Sequence, residues 1–387
     1  MATYRTVCSW VLISFLAVVA DAATLRGPVV NGKRFDFGLD AETNAIYLVE
    51  RSTNLIDWSV VVRNDDLITN RSFSFTNTLP RAFFRTRQTN EPLFQFALAA
   101  RQGITLDGQN IRMDSFDSGD PNYSDGYGHY TNNPISKWKV NGNLACNDTI
   151  TNPVSIANAN IYGHVTTGPY GPVSVGSVGM IGDKAWQSNS ANFGKIQPGW
   201  LTTNAILKFP SVIVPTNLYG ATPPSGLHLT TNGITYDIVL GQTGATNDYN
   251  LQGQTLIGNI YVRGTVRLLV TAGINMSGRD RITLEPGAYL HLYADCVSSS
   301  LGGNGVQNPG TAEHFCYFGT DRNTSLSYGG NATFTGVFYA PNADMQMGGG
   351  GSTVVDFVGS AIARSIKFTG NFNIHFDENL PRVGLVR

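Results

Sequence analysis

Apolar residues between Leu251 and Leu380 recur in short alternations: Val266/Leu268/Val270, Ile274/Met276, Ile282/Leu284 and Leu290/Leu292. Val266, Ile274, Ile282 and Leu290 keep a constant spacing of eight residues. Gly273, Ser277-Gly278 and Pro286-Gly287 fall between them and are turn-forming residues. Strands this short cannot bury an apolar face alone, so each must be covered by the next coil of a solenoid or by a second sheet. The same rhythm runs earlier, through Val154/Ile156, Ala159/Ile161, Val165, Val173/Val175 and Val178, with Gly163, Gly168, Gly171, Gly176 and Gly179 between. Residues 183–250 interrupt it with Pro198, Pro210, Pro215, Pro223 and Pro224, which central strands exclude. This segment is expected to be an excursion running along the stack. No long stretch after residue 23 keeps a 3.6-residue apolar period, so the fold class is all-β.

Residues 1–23 carry the marks of a signal peptide. Arg5 precedes the apolar run Val11–Val19, and Ala20-Asp21-Ala22 fits a small-residue cleavage site. The expectation is a secreted or cell-surface chain with no membrane span in its mature part. Residues 24–90 read as a small β-sandwich module: Ile46-Tyr47-Leu48-Val49 is apolar on both parities, while Trp58/Val60/Val62 and Phe73/Phe75 alternate. The second domain is expected over 103–387.

Two stretches resemble known families. Tyr47–Trp58, followed by Phe73–Thr78 and Arg81–Arg85, resembles the small fibronectin-like modules of secreted bacterial proteins, notably of the Verrucomicrobia. That implies an accessory module without chemistry of its own. Phe334-Thr335-Gly336-Val337-Phe338-Tyr339-Ala340-Pro341-Asn342-Ala343 leads into Gly348–Gly351, Phe357–Ala363, Phe368-Thr369-Gly370-Asn371 and Ile374-His375-Phe376-Asp377-Glu378-Asn379-Leu380. This order resembles the β-solenoid domain of bacterial secreted and pilus-associated proteins of the DUF7305 type, akin in style to choice-of-anchor and adhesin-like domains. The resemblance implies a right-handed parallel β-helix and brings no activity with it. Phe376 stands where tyrosine is usual in that pattern.

Composition narrows the partners. With 26 Lys+Arg against 27 Asp+Glu and only 14% charged residues, the chain lacks the basic field that nucleic acid requires. Glycans or extracellular and surface proteins are the expected partners, and no cofactor is called for apart from calcium at one turn. Asp114, Asp117 and Asp120 stand at three-residue spacing beside Gly119 and read either as a calcium-binding turn or as a cluster of Asx turns. The nearby Tyr123, Tyr127 and Tyr130 are expected to cap one end of the stack. Cys296 and Cys316 bracket a glycine-rich loop and read either as a disulfide or, with Cys146, as buried thiols.

Two outward rows are candidate contact surfaces: Tyr289, His291 and Tyr293, and His375 with Asp377. Neither Gly302-Gly303-Asn304-Gly305 nor Gly348–Gly351 is followed by Lys-Ser/Thr, so no phosphate loop is present. No nucleophile elbow of the GxSxG kind occurs either. An enzyme on this scaffold, a polysaccharide lyase or hydrolase, would need two or three carboxylates to converge in one groove with a Lys or Arg, and Asp114, Asp117, Asp120, Asp377 and Glu378 scattered would count against it. The sequence supplies the carboxylates without a motif to assemble them. The expectation is therefore a non-enzymatic structural or adhesive protein, with the carbohydrate-active enzyme as the alternative.

Overall fold

A computed structural model of the chain describes residues 24–383, apart from 32–33, 41–45, 54–58, 65–69, 77–82, 90–92, 109–110, 150–152, 205–206, 223–227, 331 and 350–352. The expected signal peptide and Trp58 lie outside the described residues. The chain divides into two compact units at Leu93/Phe94. In the first, Thr24–Asn31, Arg34–Asp40 and Asn70–Thr76 form one antiparallel sheet, and Ser59–Asn64, Ile46–Ser52 and Phe83–Thr89 form another. Phe83 and Phe84 are buried there.

The second unit is a parallel β-helix. Its coils have three sides, seen clearly where Asn259–Val262, Thr265–Val270 and Gly273–Met276 are followed by Arg281–Leu284, Tyr289–Ala294 and Ser298–Leu301. Partners such as Ile260 and Ile282, or Val266 and Leu290, sit one coil apart in parallel register. The eight-residue spacing of the sequence is thus one side of a triangular coil. Val266, Leu268, Val270, Ile274, Met276, Ile282, Leu284, Leu290 and Leu292 all point inward and are buried. Toward the middle of the stack the filling turns aromatic: Phe334 stacks on Phe338 and Phe357 at 4.7 and 5.2 Å, with Phe315 and Tyr328 edge-on to Phe334. Among the described residues, no helix is long and apolar enough to cross a membrane.

Stacking order and chain order differ. From Thr246–Asn250 the coils climb through Thr265–Val270, Tyr289–Ala294, Phe315–Gly319 and Phe334–Gly349 to Val355–Gly370. The coil above that one is composite. Phe372–Asp377 forms its first side, with Ile374 opposite Phe357, and Leu98–Leu106 forms the rest, with Ala100 opposite Ala363 and Ile104 opposite Ile366. The next coil, Arg112–Phe116 with Leu144–Cys146 and Val154–Ser155, rests on both. Coils then continue to Leu201–Thr202. The β-helix therefore includes Leu98, ahead of the expected start at Gly103, because the first strand is needed to complete the last coil.

The excursion is shorter than 183–250. Lys195–Ile196 and Leu201–Thr202 still pair as coils, and Ile238–Leu240 and Thr246–Asn250 already belong to the first coils of the other stretch. Among the described residues, 184–192, 203–204, 207–222 and 228–236 form no rung of the ladder; Lys184–Gln187 and Ser190–Asn192 are short helical turns, and Leu229–Thr231 and Ile234–Tyr236 make a hairpin of their own. The strap over 207–222 crosses the coils in stacking order. Leu207 N donates to Asn147 Oδ1 (2.7 Å), Arg101 Nη2 to Phe209 O (2.6 Å) and Tyr339 Oη to Pro210 O (2.7 Å). Val214 and Leu218 then bury against Leu269 and Tyr293, and Asn250 Nδ2 donates to Tyr219 O at 3.1 Å.

Close coil approach depends on Gly359. Its φ is +133°, and a Cβ there would lie 1.9 Å from Gly336 O. Gly359→Ala should cost at least about 3 kcal/mol or prevent folding, since strain and a backbone clash act together. Gly220→Ala, where a Cβ meets nothing within 4 Å and φ is −97°, should leave the melting temperature within about 2 °C. Thermal melts of the two variants check this; equal losses would contradict it.

Candidate functional site

The densest group of ionisable side chains lies where the two stretches meet. Alternation along Phe372–Asp377 turns Phe372, Ile374 and Phe376 inward and sends Asn373, His375 and Asp377 to the outer side. His375 is opposite Asp114 of the coil above and Val358 of the coil below. Its Nδ1 is 2.6 Å from Asp114 Oδ1, and its Nε2 is 3.3 Å from Asp356 Oδ1. Asp114 also receives Tyr130 Oη at 3.1 Å and pairs with Arg112 Nη2 at 2.6 Å. The ring of Tyr130 covers His375, with centroids 3.4 Å apart and planes 17° from parallel. The His375 and Asp114 side chains are 1% and 0% exposed, while Asp356 is 38% exposed.

This arrangement sets the charge of the histidine. Carboxylates accept and do not donate, so an imidazole facing one at each nitrogen satisfies both only as the doubly protonated cation. Burial disfavours that cation, yet Asp114, and after it Asp356, outweigh burial and raise the His375 pKa. Asp356 is lowered in turn: burial raises it, but the hydrogen bond from His375 prevails. Asp377 behaves differently. Burial raises its pKa to about 6 against hydrogen bonds from Ser118 and Asn379, and Oδ2 has no partner among the described residues.

Further bonds join the same two segments. Glu378 accepts from Ser115 Oγ (2.7 Å) and Asn141 Nδ2 (2.8 Å) and pairs with Lys139. Arg382 pairs with Asp117, and Ser118 N donates to Asp377 Oδ1 at 3.0 Å. All of these contacts link residues 112–141 to residues 356–382. The group is a fastener across the seam.

Other expected sites are placed differently. Asp114, Asp117 and Asp120 do not converge as a calcium turn. Asp114 is committed to His375 and Arg112, Asp117 caps Gly119 N and pairs with Arg382, and Asp120 caps Asn122 N. Among the described residues, no three or more His, Cys, Asp or Glu side chains are grouped to hold a metal ion. The Cys296–Cys316 bridge is not formed. Parallel register sets Cys316 opposite His291, five residues short of Cys296, which is beyond the Cα reach of a disulfide. Cys296 Sγ instead donates to Ser298 O and Cys316 Sγ to Glu313 O. Burial pushes both thiols up, and it raises Cys146 to about 11.

Tyr289, His291 and Tyr293 do share the outer side of their strand. The row is not an open platform, because other segments lie over it. Tyr289 stacks on His314 at 4.1 Å, His291 meets the edge of Phe318, and Tyr293 packs between Phe318 and the strap. Burial, with Arg267 beside it, lowers His291 to about 4. His291 next to Cys316 is thus no thiolate pair, since both groups are held neutral near pH 7. Tyr130 lies over His375 and Tyr123 over Lys139, so these rings cover the seam rather than an end of the stack. Asp356 and Arg112 were missed from sequence, although each sits at an outward parity beside buried strand residues, Val355 and Phe357 or Ile111 and Met113.

Residues 239–383 match a family described as "Domain of unknown function (DUF7305)". That span begins inside Ile238–Leu240, takes in every later strand to Phe372–Asp377 and includes none of the coils over 98–202. No curated protein and no solved structure matches the chain.

The seam charges make stability pH-dependent. A pKa raised in the native state, as for His375 and Asp377, adds stability that is complete below the unfolded pKa and is lost as pH rises through the native one. For Asp377 that window runs from 3.8 to about 6, worth on the order of 2 to 3 kcal/mol. Urea unfolding should show the fall between pH 4 and 6 flattened in Asp377→Asn; an unchanged slope would contradict the assignment. His375→Ala should cost about 3 to 5 kcal/mol, because it removes one partner of a buried ion-pair group, leaving Asp114 with Arg112 and Tyr130 alone and opening a cavity under the Tyr130 ring.

Proposed function

We propose that this is an exported, non-enzymatic structural or adhesive protein whose β-helix holds a lateral surface in a rigid geometry for contacts with glycans or other surface proteins. What carries the reading is the use made of the charges at the seam. His375, Asp114, Lys139 and Glu378, four of the groups that could serve as acid, base or electrostatic clamp, are paired with one another across two coils. Groups spent on joining coils are held rigid and have no free valence for a substrate. Export rests on the amino-terminal segment, where a basic residue, an apolar run and a small-residue site follow in order.

Two exposed rings support a contact role. Tyr127 is 85% exposed on the loop over the seam, and Tyr170 is 92% exposed. Tyr170 also has φ +63°, a left-handed backbone that a bulky side chain rarely takes. Its neighbours hold the turn, with Thr167 Oγ1 donating to Gly171 O at 2.7 Å. An aromatic ring displayed at a conformational cost suits recognition better than packing.

The alternative, a polysaccharide lyase or hydrolase, would centre on Asp356, the exposed edge of the His375 group. A glycan array with the purified chain, with and without calcium, separates the readings when run beside a turnover assay on the glycans that bind. Binding without turnover is expected, weakened at least about tenfold by Tyr127→Ala plus Tyr170→Ala with an unchanged melting temperature. Turnover abolished by Asp356→Asn would favour the enzyme.

A further inference from the structure

We infer that the chain cuts itself once, at the peptide bond between Asp120 and Pro121, in the loop that carries Tyr123 and Tyr130. Asp-Pro is a weak linkage in mild acid for two reasons. An aspartyl carboxyl can close a five-membered ring on its own carbonyl carbon, and the proline nitrogen, part of a tertiary amide, leaves readily. The chain contains one Asp-Pro pair, and the turn around it is arranged for that attack. The carbonyl oxygen of Asp120 accepts from Tyr123 N at 2.9 Å and from Ser124 Oγ at 3.0 Å. Two donors on one carbonyl are what an oxyanion hole supplies, and they draw electrons from the carbon to be attacked. Ser124 is buried, so its hydroxyl is held there away from competing water. Asp120 Oδ1 accepts from Asn122 N at 2.8 Å, which turns the carboxyl along the peptide that follows it.

The rest of the turn fixes the reacting groups and leaves them wet. Lys137 Nζ donates to Pro121 O at 2.8 Å and also bonds Ser124 O, so the leaving side and the donor side are tied together. The carboxylate of Asp117, close by, is held by Gly119 N and Arg382. Pro121 and Asn122 are exposed, so water reaches the bond. The step balances with water as the other reactant. A carboxyl oxygen of Asp120 bonds to the Asp120 carbonyl carbon and the carbon–nitrogen bond to Pro121 breaks. The nitrogen keeps the electron pair and takes up the proton that the carboxyl gives away. Water then opens the cyclic anhydride, leaving two carboxyl groups on Asp120 and a secondary amine on Pro121. This is a single event within the chain, and it suits a contact protein that turns nothing over. The halves do not part, because Leu98–Leu106 and Arg112–Phe116, before the cut, stay laddered to Val355–Gly370 and Phe372–Asp377 beyond it.

The test incubates the purified full chain at pH 5 and follows it on denaturing gels. Mass spectrometry should find one fragment that ends at Asp120 and one that begins at Pro121, while size exclusion without denaturant shows a single unchanged species. Asp120→Ala should stay whole with an unchanged melting temperature. Ser124→Ala should slow the cut at least about tenfold, as loss of an oxyanion donor does. Hydroxylamine present during the reaction should appear as a hydroxamate on the fragment ending at Asp120, which cleavage by a contaminating protease would not produce. Any Asp-Pro bond breaks slowly in acid, so the deciding comparison is the same chain unfolded in urea at pH 5. The folded protein should react at least about tenfold faster, because only there are the carboxyl and the donors held in place. Equal rates in the two states, a folded chain that stays whole, or cutting that survives in Asp120→Ala would overturn the inference.

Discussion

In a stack of parallel coils, each strand's N–H and C=O groups are satisfied by the coil above and the coil below, so a break inside the stack leaves a full row of them unpaired. This chain places such a break at its own centre. Residues 98–202 and 238–377 form two sets of coils that meet at Leu98–Leu106 and Phe372–Asp377, and neither set is closed on that side without the other. Burial follows the same logic. Ile104, Ile366, Met113 and Ile374 are all fully buried, and each relies on a residue from the other stretch for cover. Folding of the β-helix is therefore a long-range event, because its central ladder joins residues more than two hundred positions apart.

Charge is concentrated where that joint needs holding. The chain is poor in charged residues, yet Arg112, Asp114, Lys139, Asp356, His375, Glu378 and Arg382 gather at one place. Buried ion pairs add little net stability when compared with apolar packing, but they penalise wrong registers, since a slipped strand would part Asp114 from His375 in a buried site. The fastener reads as a register device: it selects one alignment of two stretches whose aliphatic faces alone would tolerate several. In the proposed reading this commitment is what argues against catalysis at the seam, and the exposed rings of Tyr127 and Tyr170 supply the contacts.

Much of the scaffold was legible because aliphatic alternation is a local signal. The eight-residue step from Val266 to Leu290 marked successive sides of a triangular coil, and the inward residues of Ile274, Ile282 and their neighbours followed from parity alone. What escaped was non-local. Nothing near Asp114 announces His375, 261 residues away, so its carboxylate read as part of a turn with Asp117 and Asp120. The strap looked longer because Lys195–Ile196 and Leu201–Thr202 are two-residue strands among prolines and tryptophans, too short to show alternation. Cys296 and Cys316 looked like a closed loop because sequence distance was short; parallel register separates residues that a hairpin would have brought together.

The seam can be tested in a single chain. With Thr105→Cys and Lys367→Cys installed together, mild oxidation of dilute protein should produce an intrachain disulfide, identified by peptide mapping, because their main chains are direct neighbours across the composite coil. Quantitative linkage with a raised melting temperature is the predicted result. Two thiols that stay free under conditions that oxidise an exposed control cysteine would mean that the two stretches do not stack as described, and the account of the fold would fail with them.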